Sequence, residues 1–205
     1  EHYERLIASG VEGGNLYYNL GNSYFKKGKL GLAVLNYERA GFFIPNDSDL
    51  KSNHDYTLSL LNLEPQVFGN WFVRAINRLF ESAGIDFLTI LLSAIYLFII
   101  AVVISSLFFS GLKKFTKPLL LVLIALFILA AISLRGKINY LNKGAIVVSR
   151  EAEVKYEPSV SATTYFKLPE GSRVQIMEKT ENWFKIQRPD GKIGWVKDNI
   201  QGFKI

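Results

Sequence analysis

Few side chains here carry chemical handles, and their spacing suits recognition rather than catalysis. The chain of 205 residues holds two histidines and no cysteine. His2 and His54 stand far apart, and neither has a partner at metal-ligand or triad spacing. The missing cysteines remove disulfides, thiol nucleophiles and cysteine-type zinc sites, and fit an oxidising or a reducing compartment equally. No carboxylate pair, Ser/His/Asp set or glycine-rich phosphate loop can be read in the sequence. We therefore expect no enzyme, and no catalytic, cofactor-binding or metal-binding residue. Two sets of amides, aromatics and lysines remain. Asn15, Tyr18, Asn22 and Phe25, with Asn19 and Lys26 at the edge, share one face of a helical stretch. Asparagine amides hold a peptide backbone through paired hydrogen bonds and the rings grip apolar side chains; the plainer alternative is a solvated helix face. Tyr165, Trp183, Lys185 and Trp195 form the second set, in a β-rich stretch. They are candidates for a groove on a small barrel, or for filling its core.

The first set needs helices to position it. Residues 3–63 read as helical. Tyr17, Leu20 and Tyr24 fall on one face by three- and four-residue spacing. Gly21 and Ala33 are small where two antiparallel helices must approach. Gly28 ends one helix, Pro45 punctuates the next, and Asp47 or Ser48 caps a third. The 34 residues from Gly14, GNLYYNLGNSYFKKGKLGLAVLNYERAGFFIPND, resemble one tetratricopeptide repeat through Tyr17, Leu20, Gly21, Tyr24, Ala33, Tyr37, Ala40 and Pro45. Tyr3–Ala8 and Ser48–Leu63 look like halves of flanking repeats. Gly41 departs from the pattern, as do His54 and Asp55. That resemblance implies a concave peptide-binding surface, with a marginal core that upstream residues, a partner or the apolar segment completes.

Two uncharged runs follow, Phe87–Phe109 and Leu119–Leu134. The first, about 23 residues, is long enough as a helix to cross a ~30 Å hydrocarbon core. The second is about 16 residues and reaches about 20 when Phe115–Pro118 join it, with Lys117 snorkelling. A mean hydropathy of +0.17 conceals these runs by averaging them with ordinary polar flanks. The spans carry no ionisable group, which argues against an ion path or proton relay. Small residues, Ser93, Ala94, Ala101, Ser105 and Ser106 in the first and Ala125, Ala130 and Ala131 in the second, allow packing as a hairpin or against a partner. Residues 66–83 are amphipathic. Trp71, Phe72, Arg74 and Arg78 suit the headgroup zone, as do Lys113, Lys114 and Lys117 in the loop between the spans; an ordinary soluble helix is the alternative for 66–83. The net charge of +6 is dispersed apart from that lysine cluster, which favours lipid headgroups over nucleic acid. Two passes put both ends on one side. A raw count of basic residues favours cytoplasmic flanks, while charge density favours a cytoplasmic loop.

From Ala145 the texture becomes short β stretches broken by turns. Asp190-Gly191 marks a hairpin, with Asp190 as a turn former. Five or six strands in about 60 residues fit a small barrel. Alternation in NWFKIQ puts Phe184 and Ile186 on one face and Trp183, Lys185 and Gln187 on the other. Gly171, Val174, Trp183, Ile186, Asp190-Gly191-Lys192 and Gly194-Trp195-Val196 resemble the bacterial SH3-like domain. Such barrels bind cell-wall peptides or protein segments.

The expected fold class is a multidomain membrane protein: an all-α tetratricopeptide-type region (1–64), an interfacial helix (66–84), a two-helix transmembrane hairpin (86–109 and 115–135) and an all-β SH3-like barrel (144–205). That order, with LYYNLGNSYFKKGKLGLAVLNYERA, IPNDSDLKSN, AIVVSREAEVKYEPS and WFKIQRPDGKIGWV, resembles the BatE family of the Bacteroides aerotolerance group. The resemblance implies a signal peptide upstream of Glu1, an inner-membrane anchor and periplasmic modules. It also implies partners among von Willebrand factor A-type Bat proteins and a MoxR-type ATPase, no cofactor, and a scaffold role in envelope stress tolerance. The alternative is a tether whose barrel binds peptidoglycan or its stem peptides.

Overall fold

The computed structural model describes residues 2–64, 68–69, 71–80, 82–109, 113–180, 182–197 and 200–202, without the side chains of Val73 and Asn77. The ends of the 66–84 and 144–205 readings that fall on 66–67 and 203–205, and the side chain of Asn77, lie outside the described residues. The chain divides into two units, Glu1–Gly69 with Asn139–Ile205, and Asn70–Ile138.

In the first unit, α1 (His2–Ala8), α2 (Gly14–Lys26), α3 (Leu30–Phe43) and α4 (Ser48–Leu60) form the helical region. Gly28 ends α2 at φ 70°. There the Lys29 N–H donates to the Tyr24 carbonyl and the Gly28 N–H to the Phe25 carbonyl, which satisfies the last turn. Asp47 caps α4 by accepting the Leu50 N–H at 2.8 Å. The α2–α3 contact is close because Gly21 has no side chain: a Cβ there would lie 2.6 Å from the Tyr37 ring. Gly41 meets nothing within 4 Å.

The same unit carries a seven-stranded antiparallel sheet, β1 (Gly144–Val147), β2 (Glu151–Lys155), β3 (Thr164–Pro169), β4 (Arg173–Lys179), β5 (Trp183–Gln187), β6 (Ile193–Lys197) and β7 (Ile200–Gly202), in the order β3-β2-β6-β5-β4-β1-β7. Phe184 and Ile186 face its core with Val154, Val174 and Val196. The β5–β6 loop runs over 188–192 around Asp190-Gly191, with Gly191 at φ 90°. Its Arg188 N–H donates to the Lys192 carbonyl. Gly194 lets β6 approach β2, since a Cβ there would lie 2.5 Å from Val154 Cγ1.

The helices and the barrel are not two separate modules. Strand β1 is buried on both faces. Ala145 and Val147 enter the barrel core. Ile146 enters a second core with Val34, Leu35 and Leu58, against which Tyr140, Leu141 and Val148 also pack. Gly31 makes this docking possible: a Cβ would lie 2.8 Å from the Val147 carbonyl oxygen and 2.8 Å from Glu170 Cγ. The Gly31 N–H donates to Glu170 Oε1 at 2.7 Å.

The second unit holds α5 (Trp71–Leu79), α6 (Ile85–Phe108) and most of α7 (Lys113–Lys143), whose last residues from Asn139 belong to the first unit. Helix α5 is shorter than the 66–84 reading. Helices α6 and α7 are long and apolar enough to cross a membrane. One expectation changes. Lys113, Lys114 and Lys117 form the first turns of α7 rather than a loop, and Pro118 sits inside that helix. Pro118 removes one backbone bond, and the rest of a 31-residue helix carries that loss. Leu88 of α6 and Leu123, Ala130 and Ser133 of α7 are buried, while α6 and α7 approach closely at few backbone positions among the described residues. They leave a cavity of about 230 Å³ lined by Phe98, Ala101, Val102, Phe115 and Leu119, with Ser105 and Thr116.

Gly31→Ala should lower the stability of the first unit by about 1–3 kcal/mol, because backbone rather than a mobile side chain must move. Gly41→Ala, in open space in the same helix, should raise it by about 0.5–1 kcal/mol. Denaturant titration of both variants in detergent checks the pair. Equal destabilisation would sink the docking argument.

Candidate functional site

Part of the first set lines a groove between α2, α3 and α4. Asn22, Phe25, Lys26, Tyr37, Asn53 and Tyr56 enclose about 260 Å³. Asn22 Oδ1 accepts from the Tyr37 hydroxyl at 2.7 Å and from Asn53 Nδ2 at 3.1 Å. Asn53 Nδ2 also donates to the Tyr18 hydroxyl at 2.9 Å. These bonds orient both amides: a flipped Asn22 would set NH₂ against NH₂. The network uses the Asn22 oxygen and the Asn53 nitrogen; among the described residues the Asn22 NH₂ and Asn53 Oδ1 have no hydrogen-bond partner. Phe25 and Tyr56 flank them with rings 5.9 Å apart, and Lys26 supplies a cation. Burial pushes the Tyr37 phenol up to about 12, so it remains a donor across the physiological range.

Of the residues read from sequence, Asn22, Phe25 and Lys26 line this groove and Tyr18 braces it. Asn15 and Asn19 are exposed and do not line it. Tyr37, Asn53 and Tyr56 were not anticipated. Asn53, Tyr56 and Thr57 stand at helical i, i+3, i+4 spacing in α4, which is the signal that could have found them.

On the barrel, register settles which aromatics meet. Lys185 pairs with Trp195 across β5 and β6, and Trp183 with Lys197. Lys155 pairs with Trp195 on the other side. Trp183, Lys185 and Trp195 thus share the sheet face opposite Phe184 and Ile186, with Lys185 Nζ 5.7 Å from the Trp195 ring centre. Tyr165 instead stacks on Tyr156, which sequence reading missed, with ring centres 4.4 Å apart. Lys155 Nζ is committed to the carbonyls of Val160 and Ala162, bracing the 156–163 loop. The helices dock through β1, β4, β7 and the β3–β4 turn. The face carrying Trp183, Lys185 and Trp195 stays half-open.

Between groove and barrel lies a cluster of buried charge. The Glu38 side chain is 9% exposed, and its Oε1 accepts from Arg173 Nη2 of β4, itself 16% exposed. Oε2 accepts from the Tyr140 hydroxyl at 2.8 Å. The Arg173 guanidinium lies 5.0 Å from the Tyr140 ring centre. Burial lowers its pKa to about 10, which leaves it charged at neutral pH. His54 Nε2 lies 3.3 Å from Glu38 Oε1, yet makes no hydrogen bond among the described residues. Burial pushes His54 below its usual value of 6.5, opposed by the nearby Asp55 carboxylate.

The membrane-interface candidates lie in the second unit. Trp71 is 79% exposed. Phe72 and Leu79 are open and Ile76 is buried. Arg74 and Arg78 are exposed on the same helix, and Lys113, Lys114 and Lys117 on α7. Lys114 Nζ lies 4.9 Å from the Phe115 ring centre.

Residues 151–201 match the family model of the bacterial SH3 domain. The match begins at β2, so β1, the strand that joins barrel to helices, lies before it. A search of curated proteins finds no match to the chain.

Arg173→Ala leaves Glu38 buried without its cation and should cost about 3–5 kcal/mol. Acid should weaken the unit through His54. Its folded pKa is depressed, so the unfolded chain binds more protons between that value and 6.5. Stability therefore falls as pH drops through this window and is fully lost to this group below it. Denaturation midpoints at pH 7 and pH 5 should differ less in His54→Gln than in the wild type. An identical difference would remove His54 from the account.

Proposed function

We propose that this protein is a membrane-anchored, non-catalytic scaffold of a bacterial envelope assembly. Helices α6 and α7 hold it in the bilayer, with α5 lying in the headgroup zone. The first unit stands on one aqueous side, the periplasmic side implied by the BatE resemblance. The observation that carries the reading is the groove of α2, α3 and α4, whose Asn22 NH₂ and Asn53 oxygen are held ready by a closed hydrogen-bond network. Tetratricopeptide-type helices present such a surface to extended protein segments. The BatE resemblance supplies the partners: von Willebrand factor A-type Bat proteins and a MoxR-type ATPase, in envelope stress tolerance.

The barrel supports a second reading. The bacterial SH3 match and the half-open Trp183, Lys185 and Trp195 face favour a tether to peptidoglycan or its stem peptides. Tryptophan faces stack on sugar rings and lysines meet stem-peptide carboxylates.

Purification of the full chain in mild detergent, followed by mass spectrometry, should recover the von Willebrand-type membrane proteins. Asn22→Ala/Asn53→Ala should lower that recovery about tenfold or more, the scale of losing a binding hot spot. Recovery untouched by the pair would overturn the groove reading. Retention of the full chain on purified sacculi, abolished by Trp195→Ala, would instead favour the tether.

A further inference from the structure

We propose that the barrel sets the shape of the groove, so that the two recognise partners as one coupled unit; this rests on the groove reading above and names its regulation. The link is helix α3. The sheet holds it from its first turn to Arg39. Near its start, the Gly31 N–H donates to Glu170. Past its middle, Glu38 accepts from Arg173 of β4. One residue on, Arg39 Nη2 donates to the Gly202 carbonyl of β7 at 2.9 Å. Ile146 of β1 packs against Val34 and Leu35 between these points.

A helix held at three points along its length is fixed in both axial position and roll. Tyr37 precedes Glu38 directly, so the roll that seats Glu38 on Arg173 also aims the Tyr37 hydroxyl at Asn22. The Tyr37 ring is bounded by Tyr18, at 6.1 Å, and by the edge of His54, at 6.3 Å. His54 closes the loop, since it also faces Glu38. Asn22 in turn orients Asn53. Loosening the sheet frees α3 to turn, and the two amides lose their shared orientation. By reciprocity, a ligand that fixes the amides tightens the docked state.

Hydrogen–deuterium exchange on the full chain in detergent tests this without any ligand. Arg173→Gln is expected to raise exchange about tenfold or more in segments 20–27 and 52–57, which carry the groove, while β2, β5 and β6 keep their protection. The double variant Glu38→Leu/Arg173→Met replaces the charges by apolar groups of similar size and should return the groove to wild-type exchange. Two results overturn the proposal. One is loosening confined to β1, β4 and α3 with the groove unchanged. The other is uniform loss of protection in both variants, which reports unfolding rather than coupling. A groove that takes no peptide leaves this outcome intact, so the two ideas fail separately.

Discussion

A carboxylate taken out of water must find compensation, and Glu38 finds it in Arg173, more than a hundred residues away in sequence. The pair has little solvent to fall back on. Each charge loses hydration that the other, with the Tyr140 hydroxyl on Glu38, helps to replace. That requirement makes the helical region and the barrel parts of one body. Strand β1 meets the same requirement in apolar terms. Its backbone pairs with β4 and β7, while its side chains serve two cores at once. A barrel released from α3 would expose Ile146 and strand a guanidinium.

This docking partitions the surface. Strand β1, with Arg173 of β4 and Gly202 of β7, is engaged by the helices. What β2, β3, β5 and β6 display is left for the environment, including the Trp195 and Lys185 face and the Tyr156–Tyr165 stack. The groove lies on α2, α3 and α4, with its amides oriented before any ligand arrives. Preorganisation of this kind lowers the ordering cost of binding.

The second unit follows another logic. Helices α6 and α7 bury little of their apolar surface within the chain. Each satisfies its own backbone, as a helix in hydrocarbon must. Most of their small residues remain at least partly open, while Ala130 and Ser133 of α7 are buried.

Local signals were legible along much of the chain. Gly28, Pro45 and Asp47 marked helix ends because caps and stops act within a few residues. Gly21 was readable as a close approach, and the alternation of NWFKIQ sorted Phe184 and Ile186 from Trp183 and Lys185. The two apolar helices declared themselves by length and composition alone. In the groove, Asn22, Phe25 and Lys26 were visible because they share one face of one helix; Tyr37, Asn53 and Tyr56 come from other helices, and one-helix periodicity does not carry across a turn. The joint was least visible. Glu38 and Arg173 look like ordinary surface charges until folding removes their water, and that depends on partners far away in the chain. Sequence alone determined elements, faces and ends, since these depend on neighbours within a helical turn or a hairpin. Which charges became buried, which amides met and which strands stayed open were decided only by tertiary docking, because burial belongs to the assembled fold and not to any segment of it.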